Sequence, residues 1–281
     1  MLNRLSILNS SLDTMAFDLY NYVIIELNGI GDMTNYLASF ESPYIDGTQV
    51  FGRKAEPKHI TLKMWVRAAT REALLAKRIE FLDFFSPKKT SILFWYDTYY
   101  LDVEHENVQE LGGEYAGYLE QGFLVSFFAP YPFWYGKTQN LKMFTLEQGG
   151  FELPLIYPFS LETTGINAEV LNEGNMVTPV TWQLKGKMIY PGLYNTSTGN
   201  KLEFDVELEA GDILDVETAT KNRHATITRA DGTIENAFSY RTSGSTLWWL
   251  EKGTNNINVK AYDKSGAAYA KMWWKNWVTG V

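Results

Sequence analysis

The sequence predicts a mainly β protein of two domains, the first β-rich with one α-helix and the second a β-sandwich. Its 281 residues are enough for two domains at roughly 150 residues per domain. Aromatic residues make up 15% of the chain, and their large side chains favour strands. The second half consists of short strand-like segments separated by turn residues, which is typical of sandwiches and jelly rolls.

The single helix is predicted over residues 70–85. Thr70 is a suitable N-cap, and Glu72 in the first turn is favoured by the helix dipole. Pro87 ends the segment because proline cannot continue a helix. Three apolar residues recur at helical spacing and predict the buried face, with Phe85 at its edge: Leu75, Ile79 and Leu82.

Strands and turns surround this helix. Alternating apolar and polar residues predict a half-buried strand over 59–67. Residues 42–52 are expected to form a loop around Asp46-Gly47, and Gly112-Gly113 a further turn. Asp97-Thr98 is expected to join two strands into a hairpin. The remaining strands of this half are predicted over residues 22–27, 91–96, 99–104 and 118–128.

A boundary between the two domains follows the segment APYPFWYG of residues 129–136. Two prolines among aromatic residues cannot occupy a central strand, so the regular pattern ends there. We therefore expect the domains to comprise residues 1–138 and 139–281.

The composition excludes several classes of protein. A net charge of −8 disfavours tight binding of nucleic acid, which depends on cations that neutralise phosphates. The absence of cysteine excludes a disulfide framework and any thiolate metal site. No apolar run is long enough for a bilayer span or a secretory leader. No membrane association and no cofactor are predicted.

Candidates for catalysis are few, and the chain is predicted not to be an enzyme. The three histidines are far apart in the sequence and lack the spacing of a metal site. Asp215 and Glu217 share one face of a predicted strand, and a glycoside hydrolase needs a pair of carboxylates. Alternating acids on a strand usually form a solvated face, so the hydrolase is kept as an alternative only.

The tryptophans suggest a binding surface. Trp248 and Trp249 are adjacent, and so are Trp273 and Trp274, so each pair points to both faces of a strand. The simpler interpretation is that most of these side chains pack in the core. The alternative is an exposed patch in which Trp248 and Trp274 contact a glycan or a protein partner. A stand-alone carbohydrate-binding β-sandwich protein is therefore a second hypothesis.

Several motifs together resemble the distal tail proteins of siphovirus-type phages. Each motif alone is a common pattern of turn and strand, and their order and spacing carry the resemblance. In the first half they are Asn28-Gly29-Ile30-Gly31, Asp46-Gly47, residues 56–62 (EPKHITL), the helix with Phe85-Ser86-Pro87, and Tyr131-Pro132-Phe133-Trp134. In the second half they are Asn172-Glu173-Gly174-Asn175 with Pro179, Gly186 with residues 195–199, residues 211–215 (GDILD), and Trp249-Leu250 with Gly253, Asn255 and Ile257.

The resemblance implies a structural protein of the virion tail tip or baseplate, made in the host cytoplasm. In this family six copies form a ring through the first domain, below the tail tube protein and above the tip protein or tail-associated lysin. The homo-hexamer serves as a hub for receptor-binding proteins during attachment to the host, where cell-surface glycans are further candidate partners. DNA crosses the lumen without specific binding, and an acidic surface would suit this passage because like charges repel. The second domain is expected to be galectin-like, or similar to a carbohydrate-binding module.

Overall fold

The computed structural model describes residues 5–44, 46–146, 165–262 and 268–281. Strands dominate these residues and one α-helix is found among them, which confirms the predicted fold class. The chain divides into two compact units, residues 1–137 with 278–281, and residues 138–277. Within the described residues, no helix combines the length and apolar character needed to cross a bilayer.

The first unit contains ten strands among its described residues, together with the helix. In chain order these are β1 (Leu5–Asn9), β2 (Thr14–Ala16), β3 (Tyr22–Asn28), β4 (Asn35–Glu41), β5 (Thr48–Ala55), β6 (Lys58–Arg67), α1 (Arg71–Phe84), β7 (Thr90–Trp95), β8 (Tyr99–Ala116), β9 (Glu120–Ala129) and β10 (Trp134–Gly136).

The main sheet of the first unit has the strand order β2-β1-β7-β8-β9-β6-β3. Strand β6 lies inside this sheet, between β3 and β9, and confirms the predicted strand of residues 59–67. Every second side chain of β6 points into the core, as the alternation predicted. The four that are fully buried are Ile60, Leu62, Met64 and Val66.

Helix α1 begins and ends close to the predicted limits, but it buries a different face. The Thr70 hydroxyl accepts a hydrogen bond from the Ala73 N–H and caps the helix. The predicted buried stripe is wrong, because the side chains of Leu75, Ile79 and Leu82 are 46%, 72% and 46% exposed. The buried residues of the helix are Leu74, Phe81 and Phe84.

Aromatic packing explains which stripe of the helix is buried. The Phe81 ring lies 4.5 Å from the Phe123 ring and 4.9 Å from the Phe85 ring, measured between centroids. Large aromatic side chains bury more area than leucine or isoleucine and gain from tilted ring contacts. The helix carries two apolar stripes, and the one with the phenylalanines faces the sheet.

The predicted loop around Asp46-Gly47 is shorter than expected, and the predicted turn at Gly112-Gly113 is wrong. Residues 42–52 are not all loop, because β5 begins at Thr48 and pairs with β4 to form a hairpin. Gly112-Gly113 does not end a strand, since β8 continues to Ala116. The pairing of β8 with β9 shifts register between Leu111 and Ala116, and Gly113 has a φ of 64°, so these glycines form a bulge.

Gly29 combines a positive φ with a close approach of the neighbouring backbone. Its φ is 86°, and a Cβ atom added to it would lie 2.1 Å from the backbone oxygen of His59. Any larger residue would therefore collide with β6, so glycine is required where the chain leaves β3.

The second unit contains shorter strands. In chain order its elements are β11 (Asn140–Leu146), β12 (Ile166–Asn172), β13 (Val180–Lys185), β14 (Met188–Ile189), β15 (Gly192–Asn195), β16 (Asn200–Glu203), β17 (Glu207–Leu208), β18 (Ile213–Glu217), a 3₁₀ turn (Thr220–Asn222), β19 (His224–Thr228), β20 (Ile234–Asn236), a second 3₁₀ turn (Ala237–Tyr240), β21 (Gly253–Lys260) and β22 (Ala268–Trp274). Strand β23 (Trp277–Val278) lies where the chain leaves this unit.

Two sheets of the second unit share one hydrophobic core, as in a β-sandwich. Their strand orders are β11-β22-β13-β18-β19-β20 and β12-β21-β15-β16. Phe144 and Trp182 from the first sheet meet Leu193 and Ile257 from the second in a single buried cluster. Burial of side chains from both inner faces is what stabilises such a pair of sheets.

Buried amides fix one end of this sandwich. The Asn255 side chain is fully buried and its Nδ2 donates to the backbone oxygens of Glu251 at 2.8 Å and Gly253 at 3.0 Å. Its Oδ1 accepts from the Glu251 N–H at 3.0 Å and from Asn195 Nδ2 at 2.9 Å. A buried amide is tolerated when its hydrogen bonds are satisfied, and here they join β15 to the start of β21.

Asp212 holds together the turn before β18. Its carboxylate accepts hydrogen bonds from the N–H groups of Glu209 and Ala230 and from the Arg229 guanidinium. Burial alone would raise the pKa of Asp212, but these donors outweigh it and hold the pKa below the ordinary value of 3.8. The ionised carboxylate is therefore part of the folded structure.

We predict that Phe81→Ala lowers the free energy of unfolding by about 3–5 kcal/mol, because it leaves a cavity under the helix. The matched control Leu82→Ala removes an exposed side chain and should change stability by no more than about 0.5 kcal/mol. Urea-induced unfolding followed by circular dichroism measures both. Equal losses in the two variants would contradict the observed burial.

We predict that Asp212→Asn lowers the free energy of unfolding at pH 7 by about 1–3 kcal/mol, because charge-assisted hydrogen bonds are lost. A carboxyl with a depressed folded pKa stabilises the protein above its unfolded pKa, and that stabilisation is lost as the pH falls below about 3.8. The difference between wild type and variant should therefore shrink in urea titrations below this pH. Glu209→Gln alters an exposed acid of the same turn and should show neither effect.

Candidate interaction surfaces

The residues considered for catalysis lie apart and bond to their own neighbours. The ring of His59 lies 3.2 Å from a carboxylate oxygen of Glu106 on the surface. His105 contacts the Ser91 hydroxyl at 2.8 Å, and burial lowers its pKa. His224 contacts the backbone oxygen of Asn222. Among the described residues, no three His, Asp or Glu side chains gather as they would around a metal ion.

Asp215 and Glu217 share one face of β18, as predicted, and this face is partly exposed. The Asp215 carboxylate accepts from Gln183 Nε2 at 3.0 Å. Glu217 accepts from the Thr181 hydroxyl at 2.7 Å and from the Ala219 N–H at 2.8 Å. Both carboxylates thus tie β18 to its neighbours, which is a structural use of these groups.

Trp248 and Trp274 lie in the core, as the simpler interpretation of the tryptophans expected, and the alternative of an exposed patch is wrong for both. Trp248 is 4% exposed and Trp274 is 9% exposed, and both belong to the core of the sandwich. The Trp248 indole N–H donates to the backbone oxygen of Leu193, and its ring lies 5.8 Å from that of Trp182. Trp248 packs on Trp182 because the space between the two sheets accommodates large rings. Since Trp248 and Trp274 are both buried, neither offers a ring face to a sugar.

The β4–β5 hairpin is the most conspicuous apolar surface of the first unit. The two strands pair with each other and form a sheet of their own. Its base is closed by a backbone hydrogen bond from Glu56 to Thr34, and its far end by the Thr48 hydroxyl bonded to Glu41. Every large hydrophobic side chain of these strands is at least 45% exposed: Tyr36, Leu37, Phe40, Val50 and Phe51.

Such a hairpin is not a stable structure by itself in water. A two-stranded sheet needs a third strand or a packed face, and the described residues provide neither for β4–β5. Its open edges also expose unpaired backbone groups that can pair with another chain. The hairpin is therefore a candidate site for a second protein molecule. Sequence reasoning missed it, although the apolar residues on both sides of Asp46-Gly47 are a hairpin signal.

A second apolar surface lies on helix α1. The exposed stripe of Leu75, Ile79 and Leu82 is the one that the sequence predicted to be buried. The helix stripe and the hairpin account for many of the exposed large hydrophobic side chains among the described residues, most of which belong to the first unit. Contiguous exposed apolar residues of this kind mark sites of protein interaction.

An acidic groove of about 640 Å³ is also part of the first unit. Four carboxylates line it: Asp13, Asp18, Glu80 and Asp83. Partial burial opposes ionisation of Asp18, but backbone N–H donors from Asn21, Tyr20 and Tyr22 lower its pKa to about 2. The groove is thus negatively charged at any pH near neutrality and would attract a cationic segment.

Comparison with known proteins identifies the second unit. Residues 173–275 match the family model described as a siphovirus-type tail component, C-terminal domain. No curated protein sequence matches the chain.

Solved structures share the fold over nearly the full length. The SPP1 Dit (gp 19.1) protein, described as a paradigm of the hub adsorption apparatus in phages that infect Gram-positive bacteria, has a TM-score of 0.69 at 12% identity. The match covers 96% of this chain and 98% of that chain. Two structures of the phage P2 baseplate in its activated conformation, with Ca and with Sr, have TM-scores of 0.50 and 0.51 at 14% identity and cover 99% of both chains.

These identities are low, so the solved structures establish the fold, and the family model covers residues 173–275 of the chain. Together they confirm the resemblance to the siphovirus-type distal tail proteins that the sequence showed.

Proposed function

We propose that this protein is the structural hub of a phage tail tip and assembles into a hexameric ring through its first unit. The observation that carries the proposal is the β4–β5 hairpin, whose apolar side chains are exposed on a sheet that cannot bury them. A closed ring of identical subunits satisfies such a surface on every copy, because each hairpin covers the next subunit.

The other surfaces suit the remaining partners of a hub. The helix stripe of the first unit is a second apolar contact, suited to the tail tube protein above the ring or to the tip protein or tail-associated lysin below it. The second unit has a complete core of its own and is left to carry receptor-binding proteins. The protein resides in the virion after synthesis in the host cytoplasm, and it performs no catalysis.

The net charge of −8 supports passage of DNA through the ring without adhesion. The stand-alone carbohydrate-binding protein is the weaker candidate, because the tryptophans that suggested it, Trp248 and Trp274, are buried.

We predict that replacing Phe40 and Phe51 with serine prevents ring formation without unfolding the subunit. Both side chains are exposed, at 57% and 70%, so their loss should change the free energy of unfolding by no more than about 0.5 kcal/mol. Native mass spectrometry and sedimentation velocity of the full chain, alone and with the tail tube protein of the same phage, measure the assembly. The wild type should reach six times the chain mass of 32.1 kDa.

Ile234→Ser is the matched control, since Ile234 is also 70% exposed but lies in the second unit. This variant should assemble as the wild type does. A wild-type chain that stays monomeric in the presence of the tail tube protein would overturn the proposed ring. If the serine variant assembled as well as the wild type, the hairpin would not be the contact that forms the ring.

A further inference from the structure

A small cleft in the second unit combines aromatic rings with carboxylates. Its volume is about 240 Å³, below the roughly 300–1,000 Å³ of sites for drug-sized ligands. The cleft is therefore large enough for one small ring of a ligand. Six of the residues that line it are Tyr190, Tyr194, Glu203, Asp205, Thr242 and Tyr262.

Two tyrosines project from the wall of this cleft into solvent. Tyr190 is 45% exposed and Tyr262 is 72% exposed, and their rings meet edge to face at 5.9 Å. The backbone fixes this pair, because the Tyr262 N–H donates to the Ile189 oxygen and the Tyr190 N–H to the Val206 oxygen. The two rings therefore present apolar faces in a fixed position.

Tyr190 holds its position at a cost in backbone energy. Its φ of 52° lies in the left-handed region, which is unfavourable for an aromatic residue. Strained residues of this kind gather at binding sites. Neither Tyr190 nor Tyr262 is needed to fill the core, so packing does not account for the strain.

The polar groups of the cleft are placed as hydrogen-bond acceptors. Burial opposes ionisation of Glu203, but Lys201, the Tyr194 hydroxyl and Thr242 hold its pKa below the ordinary range. The contacts of Glu203 are 2.6 Å to the Tyr194 hydroxyl and 2.7 Å to Lys201 Nζ. The exposed Asp205 carboxylate makes no hydrogen bond to any residue that the structure describes, and it is therefore available to a ligand.

Gly192 makes room for the third ring of the cleft. A Cβ atom at this position would lie 2.7 Å from the hydroxyl oxygen of Tyr194 and 2.8–2.9 Å from its ring carbons. Glycine at this position leaves space for the Tyr194 side chain to fold back over β15 and reach Glu203. The cleft thus depends on the backbone of the sandwich, and it does not arise from mobile surface side chains.

We propose that this cleft binds one pyranose ring of a glycan. A pyranose has an apolar face of C–H groups that packs on an aromatic ring, and equatorial hydroxyls that donate to carboxylates. The exposed rings of Tyr190 and Tyr262 supply the first contact, and Asp205 with Glu203 supplies the second. This site is separate from the first-unit surfaces of the proposed ring.

The charges of the cleft favour a sugar over a cation. Glu203 is already neutralised by Lys201, and the ammonium group of Lys260 lies 5.4 Å from the centre of the Tyr194 ring. Asp205 is then the single carboxylate without a cationic partner, which is too few oxygen ligands for calcium. A lone acceptor beside aromatic rings fits a hydroxyl-bearing ring better than a basic peptide.

The test uses the full chain and four probes: the methyl glycosides of glucose, galactose, rhamnose and N-acetylglucosamine. Saturation-transfer NMR should detect binding of at least one, with a Kd in the millimolar range. Tyr262→Ala and Asp205→Asn should each weaken that binding about tenfold, which corresponds to about 1.4 kcal/mol. Both residues are exposed, so the variants should fold as the wild type does.

Tyr118→Ala is the matched control, because Tyr118 is 74% exposed but belongs to the first unit. It should bind the sugar as the wild type does. The proposal would be overturned if none of the four glycosides bound, or if Tyr262→Ala and Asp205→Asn bound the sugar as tightly as the wild type does. It would also be overturned if the cleft bound only calcium or a lysine peptide. Sugar binding is measured independently of the assembly state, so it can be tested even if the chain does not form a ring.

Discussion

A two-stranded sheet has no interior, and this constraint governs the first unit. The β4–β5 hairpin exposes apolar side chains on strands that pair only with each other, so their burial requires a surface outside the hairpin. The main sheet of the same unit has no such need, because the inward-facing side chains of β6 and the buried face of α1 pack together in one core. The unit is thus a closed core that carries an exposed apolar hairpin, and the proposed ring rests on this feature.

The second unit follows a different physical logic. Its core is closed by two sheets, and its buried polar groups are mostly satisfied internally, as the Asn255 amide and the Asp212 carboxylate illustrate. The described part of this unit therefore closes its own apolar core. The tyrosine cleft, which is the proposed sugar site, lies on the surface of this unit beside β15 and β16.

The predictions from sequence succeeded for features that neighbouring residues determine. They failed for the buried face of the helix, where the sequence allows two apolar stripes. Thr70 capped the helix and β6 alternated as expected, because a cap and a period of two are properties of neighbouring residues. The helix face was predicted wrongly because Leu75, Ile79 and Leu82 have the same periodicity as Leu74, Phe81 and Phe84. Periodicity identifies an apolar stripe, but the shape of the opposing sheet selects the stripe that is buried.

The sequence by itself determined the mainly β class, the single helix and the resemblance to siphovirus-type distal tail proteins, since each depends on residues in a particular order. Tertiary structure alone decided that Trp248 and Trp274 lie in the core while the hairpin residues and the cleft tyrosines lie outside. The reason is that burial depends on the volume between elements that are distant in the chain. A tryptophan and a phenylalanine are equally apolar in sequence, and only the packing of sheets distinguishes a core from a contact surface.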